Sequence, residues 1–445
     1  MNQRWTLHIE NFARIDSADI EISPLLCFIG DNNSGKSYIM TLLWGLIANG
    51  QSILREVFRN DYKTKNYLHC NDWLSKNIGK TVAMPDEVEQ MYIAWFNEIL
   101  AQMKNDLLRK IFNHDIQAGK IEIRNFSRPE KISFHFQYDS QRTKIPDLEK
   151  NFYFVALPDA DDLSGIHFNL CWKLLMENLT TPTKALFGEN TPIYLPSSRT
   201  GFLLARREIA NKAIENTFSL PNAENQFQER FTEPYIHFLK MLNSLTEPKN
   251  INDKQKLNLV KFLNEEIFHG TLQVKDDGKI IRYLPEDSTQ ELPLSISSSV
   301  VTETSALLLL LTAQLPAGLI IIEEPEAHLH PALQKKMAQL LIRLVHNNFP
   351  VWITTHSDTI LQHFNNMIKL KNRSDGDRRQ LLQDFNYTDE DLLSPDEINL
   401  YQFERGDKHT EIKKLTSGKF GFVANLFNKA IDELVNEIYA FQEVE

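Results

Sequence analysis

Residues Gly30-Asp31-Asn32-Asn33-Ser34-Gly35-Lys36-Ser37 match the pattern G-x-x-x-x-G-K-[ST]. The glycines of such a loop let successive backbone N–H groups turn inward around phosphate oxygens. Lys36 can then reach the β- and γ-phosphates of a nucleoside triphosphate, and the Ser37 hydroxyl can ligate Mg²⁺. Gly30, Asn32, Asn33, Ser34, Gly35, Lys36 and Ser37 are therefore the expected nucleotide contacts. Far downstream, the apolar run Leu319-Ile320-Ile321-Ile322 ends in Glu323-Glu324. A strand ending in an acid delivers a carboxylate to the metal, which is the role expected of Glu323. Glu324, one position on, is expected to polarise the attacking water as general base. A second apolar run, residues 351–354, leads into Thr355-His356-Ser357-Asp358. His356 at that place can hydrogen-bond a γ-phosphate and sense its loss.

These groups need strands and helices to hold them. Alternating apolar residues predict strands at Trp5–Ile9 and Ala18–Ile22, and Leu25–Ile29 reads as a short buried strand. The strand, the glycine-flanked loop and a helix over residues 38–48 follow in the order a phosphate loop needs. Residues 51–185 read as mostly helical, with helical spacing over 88–112, and are interrupted by an expected hairpin from 120–124 and 131–138. Residues 193–195 read as a strand, and 202–268 as helical with breaks at Pro221 and Pro248. Asp276-Asp277-Gly278 signals a hairpin. A serine-rich turn at 295–299 precedes a helix over 301–314. Residues 331–346 form an amphipathic helix, 371–377 a charged loop, 400–403 a strand and 422–441 a helix.

Composition bounds the rest. With 445 residues, 42% hydrophobic and 24% charged, the chain is an ordinary globular one, and disorder throughout is excluded. The net charge of −11 does not argue for nucleic acid, although a local basic patch remains compatible with it. Cys27, Cys70 and Cys171 form neither a disulfide framework nor a metal-ligand spacing, so a cytoplasmic location is expected. No membrane span is expected, because the most apolar stretch, 300–322, is broken by Glu303, Gln314 and Pro316.

The order of phosphate loop, serine-rich segment, Glu-Glu-Pro-Glu-Ala-His-Leu-His-Pro and Thr-Thr-His-Ser-Asp resembles the ABC-type "AAA family" ATPases of the RecF/SMC/OLD group. Within it the chain looks like the stand-alone ATPases of bacterial anti-phage defence systems (PARIS-, Septu- or retron-associated). The matched motifs cover residues 25–48 and 292–358. The resemblance implies an α/β fold: an ABC-type P-loop core, a mixed sheet with flanking helices, carrying mostly helical insertions. The expected division is 1–50 and 291–370 for the two parts of the core, 186–201 for a core strand, 51–185 and 202–290 for insertions, and 371–445 for an α/β tail. The resemblance further implies ATP and Mg²⁺ as ligands and a head-to-tail dimer that sandwiches each nucleotide. The signature segment would supply Ser297, Ser298 and Ser299, but here it lacks the usual glycine. Close backbone approach to phosphate is harder without it, so slow or partner-dependent hydrolysis is expected. Arg199 is a candidate phosphate or interface residue.

By the same resemblance, the chain is expected to act as a nucleotide-gated sensor or scaffold that controls a separate effector, a nuclease or toxin. A RecF-like DNA-binding repair ATPase is the alternative, with DNA as partner. A transporter motor fits worse, given the length inserted between residues 48 and 292. Two further patterns are set aside. Glu323, Glu324, Glu326, His328 and His330 could be drawn as a transition-metal cluster, but the phosphate loop explains the acids better. Asp389 and Asp391 have the Asp-x-Asp spacing of a Toprim nuclease but lack its preceding buried strand.

Overall fold

The computed structural model describes residues 4–57, 64–128, 131–138, 152–158, 163, 165–167, 170, 171, 174, 192–218, 231–245, 254–276, 280–312, 318–418, 421–424 and 435–441. In chain order its strands are β1 (Arg4–Phe12), β2 (Ile15–Glu21), β3 (Leu25–Gly30), β4 (Thr81–Ala83), β5 (Lys120–Ser127), β6 (Ser133–Tyr138), β7 (Phe152–Leu157), β8 (Ile193–Leu195), β9 (Gly270–Lys275), β10 (Ile280–Pro285), β11 (Leu292–Pro293), β12 (Ile320–Glu323), β13 (Val351–Thr355), β14 (Ile398–Arg405) and β15 (Thr410–Leu415). The longer helices are α1 (Lys36–Val57), α2 (Lys65–Lys76), α3 (Asp86–Phe112), α4 (Arg199–Phe218), α5 (Glu233–Asn243), α6 (Lys254–Leu263), α7 (Ser299–Thr312), α8 (Pro331–His346), α9 (Asp358–Lys371) and α10 (Asp375–Asp384). The chain divides into two compact units, Met1–Ile22 with Thr41–Pro192, and Ser23–Met40 with Ile193–Glu445.

The first unit holds two three-stranded sheets, β2-β1-β5 and β4-β6-β7. Here the expected hairpin between 120–124 and 131–138 does not form. β5 pairs with β1, placing Ile121 opposite Ile9 and Ile123 opposite Leu7, while β6 places Phe134 opposite Val82 of β4. Each strand finds an apolar cross-strand partner elsewhere, and such pairs set register more strongly than nearness in sequence.

The second unit is organised by a six-stranded sheet in the order β15-β14-β3-β13-β12-β8. All its neighbours run parallel except the β14–β15 hairpin at the edge. Every residue of β3, β12 and β13 is buried, as expected of parallel strands covered on both faces. Trp352 on β13 is fully buried, and its Nε1–H donates to the Ser23 carbonyl at 3.0 Å. Leu307–Leu311 of α7 are core, packed in the same apolar cluster as β3, β12 and β13. This is the mixed sheet with flanking helices of a P-loop core.

Most elements of this unit lie where the sequence places them. α8 has the expected bounds, and β9 and β10 form the expected hairpin, although Asp277 and Gly278 at its tip lie outside the described residues. Pro221, Pro248, Gln314 and Pro316 lie outside them too, as do 425–434 of the expected terminal helix. The charged loop expected over 371–377 is shorter: α10 starts at Asp375, because the Ser374 hydroxyl caps it by accepting from the Asp377 N–H. Among the described residues, no helix is long and apolar enough to cross a membrane.

Candidate functional site

In an open parallel sheet, ligands bind beyond the carboxyl ends of the strands. Here β3 ends in the glycine-flanked loop, β12 in Glu323-Glu324, β13 in Thr355-His356, and β8 in Pro196-Ser197-Ser198-Arg199. Sheet order makes these ends neighbours.

The loop from Gly30 to Lys36 turns through three positive φ angles, at Gly30 (+135°), Asn33 (+57°) and Gly35 (+98°). Asn32, Asn33 and Ser37 are exposed, whereas Ser34 is buried beneath. Lys36 Nζ donates to the carbonyls of Gly30 (2.9 Å) and Asp31 (2.6 Å) and lies 3.4 Å from Ser34 Oγ. Burial lowers the Lys36 ammonium to about 8, against the upward pull of Glu324, Asp31, Glu326 and Glu323. A cation held only by neutral oxygens at a helix N-terminus fits an anionic ligand.

Glu323 is 2% exposed. Its Oε1 accepts from the Tyr194 hydroxyl (2.8 Å), and its Oε2 from the Ser197 N–H (3.1 Å) and the Tyr235 hydroxyl (3.4 Å). An ionised carboxylate offers about four lone pairs, and these three bonds leave one free, on Oε1. Glu323 and the exposed Ser37 hydroxyl are hard oxygen donors of the kind Mg²⁺ takes. Among the described residues, no group of three or more His, Cys, Asp or Glu could hold a metal ion by itself.

Glu324 adopts a left-handed backbone (φ +46°), which turns it out of the sheet. Its N–H still bonds the Thr354 carbonyl at 2.8 Å. Its half-exposed carboxylate lies 3.9 Å from His356 Nε2. Burial and the Lys36 charge lower the His356 imidazole below its usual range, and Glu324 pulls the other way. The strand ends therefore bring Glu324 and His356 together.

Arg199, the candidate phosphate or interface residue, is instead buried. It is 3% exposed, and its guanidinium is already spent. Nε donates to the Glu303 carbonyl (3.2 Å), Nη1 to those of Pro196 (3.1 Å) and Glu323 (2.6 Å), and Nη2 to that of Glu324 (3.0 Å). Nη2 also lies 2.6 Å from the Glu303 carboxylate. Enclosed by four carbonyls and a carboxylate, the guanidinium is not open to a phosphate.

Ser297, Ser298 and Ser299 lie apart from these contacts, at the surface where α7 begins. Ser298 Oγ accepts from the Val301 N–H (3.4 Å) and caps the helix, while Ser297 Oγ donates to the Pro293 carbonyl (3.1 Å). Ile296 beside them is exposed.

Sequence reasoning missed Tyr194, Tyr235 and Glu303, and gave Glu326 no role of its own. Glu326 lies beneath His356: its Oε1 accepts from the His356 N–H (2.6 Å), and burial pushes its carboxyl above the usual range. Glu303 had a signal, a lone acid in an otherwise uncharged helix, which must find a buried partner. The tyrosines had none, because tertiary packing alone selects them.

A family model described as an AAA ATPase domain matches residues 6–361. No curated protein matches the chain. Among solved structures it is similar to an SMC head bound to the C-winged helix domain of ScpA, at 10% identity and a TM-score of 0.39, covering 92% of this chain and 97% of that one. It is also similar to the SMC head domain of Thermotoga maritima, at 11% identity and a TM-score of 0.36, with 93% and 99% covered. An SMC head with extended coiled coil from Pyrococcus furiosus, bound to the C-terminal domain of ScpA, gives 11% identity and a TM-score of 0.37, with 98% of each chain covered. The model spans both the phosphate loop and the strand ends that carry Glu323, Glu324 and His356, and the chain belongs to the AAA ATPase domain family.

Proposed function

We propose that the protein binds ATP with Mg²⁺ and hydrolyses it at an interface between two copies, and that the cycle gates a separate effector. The observation that carries this reading is the meeting of a phosphate loop, Glu324 and His356 on adjacent strand ends of one sheet. Lys36 and the loop N–H groups hold the triphosphate. Ser37 and Glu323 hold the metal, which supplies charge neutralisation on the phosphate oxygens. Glu324 orients and deprotonates the attacking water, and a neutral His356 can donate to the γ-phosphate. In a second copy, the exposed N-terminus of α7 with Ser297–Ser299 completes the site by directing its positive end at the same phosphate.

Control of a nuclease or toxin in anti-phage defence rests on the resemblance of the motifs, as does the cytoplasmic setting. Hydrolysis is expected to be slow without the partner, since no glycine opens the Ser297–Ser299 backbone. Two variants test the reading. Lys36→Ala should lose ATP binding, and Glu324→Gln should bind ATP without hydrolysing it and accumulate as a nucleotide-dependent dimer. A Glu324→Gln protein that turns over ATP like the parent removes Glu324 as base. Purification with native partners tests the gate: a co-purifying nuclease or toxin supports it. Its absence, together with DNA-stimulated hydrolysis and DNA affinity that falls steeply with salt, replaces it with a repair role.

A further inference from the structure

Helix α7 is apolar on nearly every face, and its hydroxyl side chains bond back to its own turns. Thr302 reaches the carbonyls of Ser298 and Ser299, Thr304 that of Val300, Ser305 that of Val301, and Thr312 those of Leu308 and Leu309. Among the described residues, Glu303 is the one α7 side chain whose polar contacts leave the helix. It is 2% exposed, and its carboxylate is forked across the first turn of α4: Oε1 lies 2.6 Å from Arg199 Nη2, and Oε2 accepts from the Thr200 hydroxyl. The same guanidinium grips the main-chain carbonyls of Glu323 and Glu324. Those two carbonyls lie where the chain leaves the sheet through the left-handed turn at Glu324.

We propose that the Glu303–Arg199 pair is a positioning linkage: it aligns the Glu324 carboxylate according to where the N-terminal end of α7 stands. This deepens the reading given above, and rests on Glu324 as base and on a second copy meeting Ser297–Ser299.

The physical argument has three parts. A helix is stiff, and Ser299 lies four residues from Glu303, about 6 Å along the axis at 1.5 Å per residue. A displacement imposed on the exposed end by a partner therefore reaches Glu303 almost undiminished. A planar guanidinium with four main-chain acceptors and a carboxylate partner has little freedom to absorb it. The displacement passes to the Glu324 carbonyl, and an error of about 1 Å at a reacting group costs on the order of 100-fold in rate. A pair that served stability alone would need no bond to the two acids, and apolar residues of similar volume could replace it. Arg199 and Glu303 are positioning residues and touch no substrate.

The test compares Glu303→Gln, which keeps shape and loses charge, with Thr200→Val, which leaves the ion pair and removes one arm of the fork. Arg199→Lys keeps the charge and loses the planar grip. Each is assayed for binding of a fluorescent ATP analogue, for ATP-dependent dimer fraction by analytical ultracentrifugation, and for kcat and KM per dimer. The expected result is KM and dimer fraction near the parent's, with kcat per dimer lower by about 10-fold or more for Glu303→Gln and Arg199→Lys, given the rate cost of misplacement. Thr200→Val should fall between them and the parent. If Glu303→Gln does not fold, Thr200→Val decides the matter on the same readouts. Parental kcat per dimer in the folded variants overturns the linkage, as does a loss that appears only in dimer fraction. Failure of the underlying reading looks different: the parent protein shows no ATPase activity, or Glu324→Gln retains it.

Discussion

Replacing Gly30 with alanine should cost the fold about 2–6 kcal/mol, the sum of two separate penalties. Gly30 has φ +135°, a region that residues with a Cβ occupy at a cost of about 1–3 kcal/mol. A Cβ built there would also lie 2.1 Å from the Phe403 carbonyl oxygen and 2.9 Å from the Phe403 carbonyl carbon and nitrogen. Backbone cannot swing aside as a flexible side chain can, so β14 must shift, an overpacking cost of about 1–3 kcal/mol. Set against a typical stability of about 5–15 kcal/mol, this should lower the melting temperature by on the order of 10 °C. Gly201 in α4 is the control, since it is exposed and a Cβ there would meet nothing within 4 Å. Gly201→Ala should raise stability by about 0.5–1 kcal/mol through helix propensity. Circular dichroism melts of the three proteins, with ATP binding measured on each, decide the matter. A Gly30→Ala melt that overlays the parent's refutes the reasoning, because either the approach of β14 or the strained φ would then be absent.

Three further outcomes follow from the same geometry. Above pH 8 the unliganded Lys36 is partly neutral, and a triphosphate favours its ammonium, so ATP binding should take up protons; calorimetry in two buffers of different ionisation enthalpy reads this, and equal heats would contradict it. Burial, with Lys335 and Lys336 nearby and Asp391 opposing, lowers His363 to about 4 from its usual 6.5. The unfolded chain therefore takes up this proton first, and up to about 3 kcal/mol of stability should be lost as pH falls from 6.5 to 4; urea titrations should show a shallower loss for His363→Gln. Asp391 is fully buried and held by Arg343 Nε and Nη2 (2.6 and 3.1 Å) and the Thr388 N–H (2.8 Å), whereas Asp389 is exposed. Asp391→Ala should therefore cost about 3–5 kcal/mol and Asp389→Ala less than about 0.5 kcal/mol, while similar effects of the two on denaturant midpoints would refute this.

The contrast between Asp389 and Asp391 shows what the sequence could and could not convey. Their spacing suggests a paired acid, but spacing carries no information on burial, and a salt bridge to Arg343 on α8 uses one of them structurally. Arg199 was misread for the same reason. An arginine after a strand looks exposed until α7 covers it, and α7 comes about a hundred residues later. What was legible is local. The loop from Gly30 to Ser37, the acids ending β12, the histidine ending β13 and the bounds of α8 depend on near neighbours and on periodicity. The 120–138 region was misread because its strands take partners far away in the chain. Tyr194 and Tyr235, which hold the Glu323 carboxylate, are visible only once β8 and α5 are folded against β12.

The pairing of β14 with β3 bears on how the protein is made. Asp31 and Arg405, joined where the Arg405 N–H donates to the Asp31 carboxylate beside the phosphate loop, stand 374 residues apart. At roughly 5–20 residues per second, a ribosome needs roughly 20–75 s to pass from one to the other. For most of that time β3 is an apolar strand with neither neighbour yet made, since β13 also comes late, and an unpaired strand edge invites aggregation. Nucleotide stabilises only a chain that can bind it. ATP can therefore protect the finished molecule but not the nascent one, and the stretch of synthesis before β13 and β14 emerge is the period in which a chaperone would matter most.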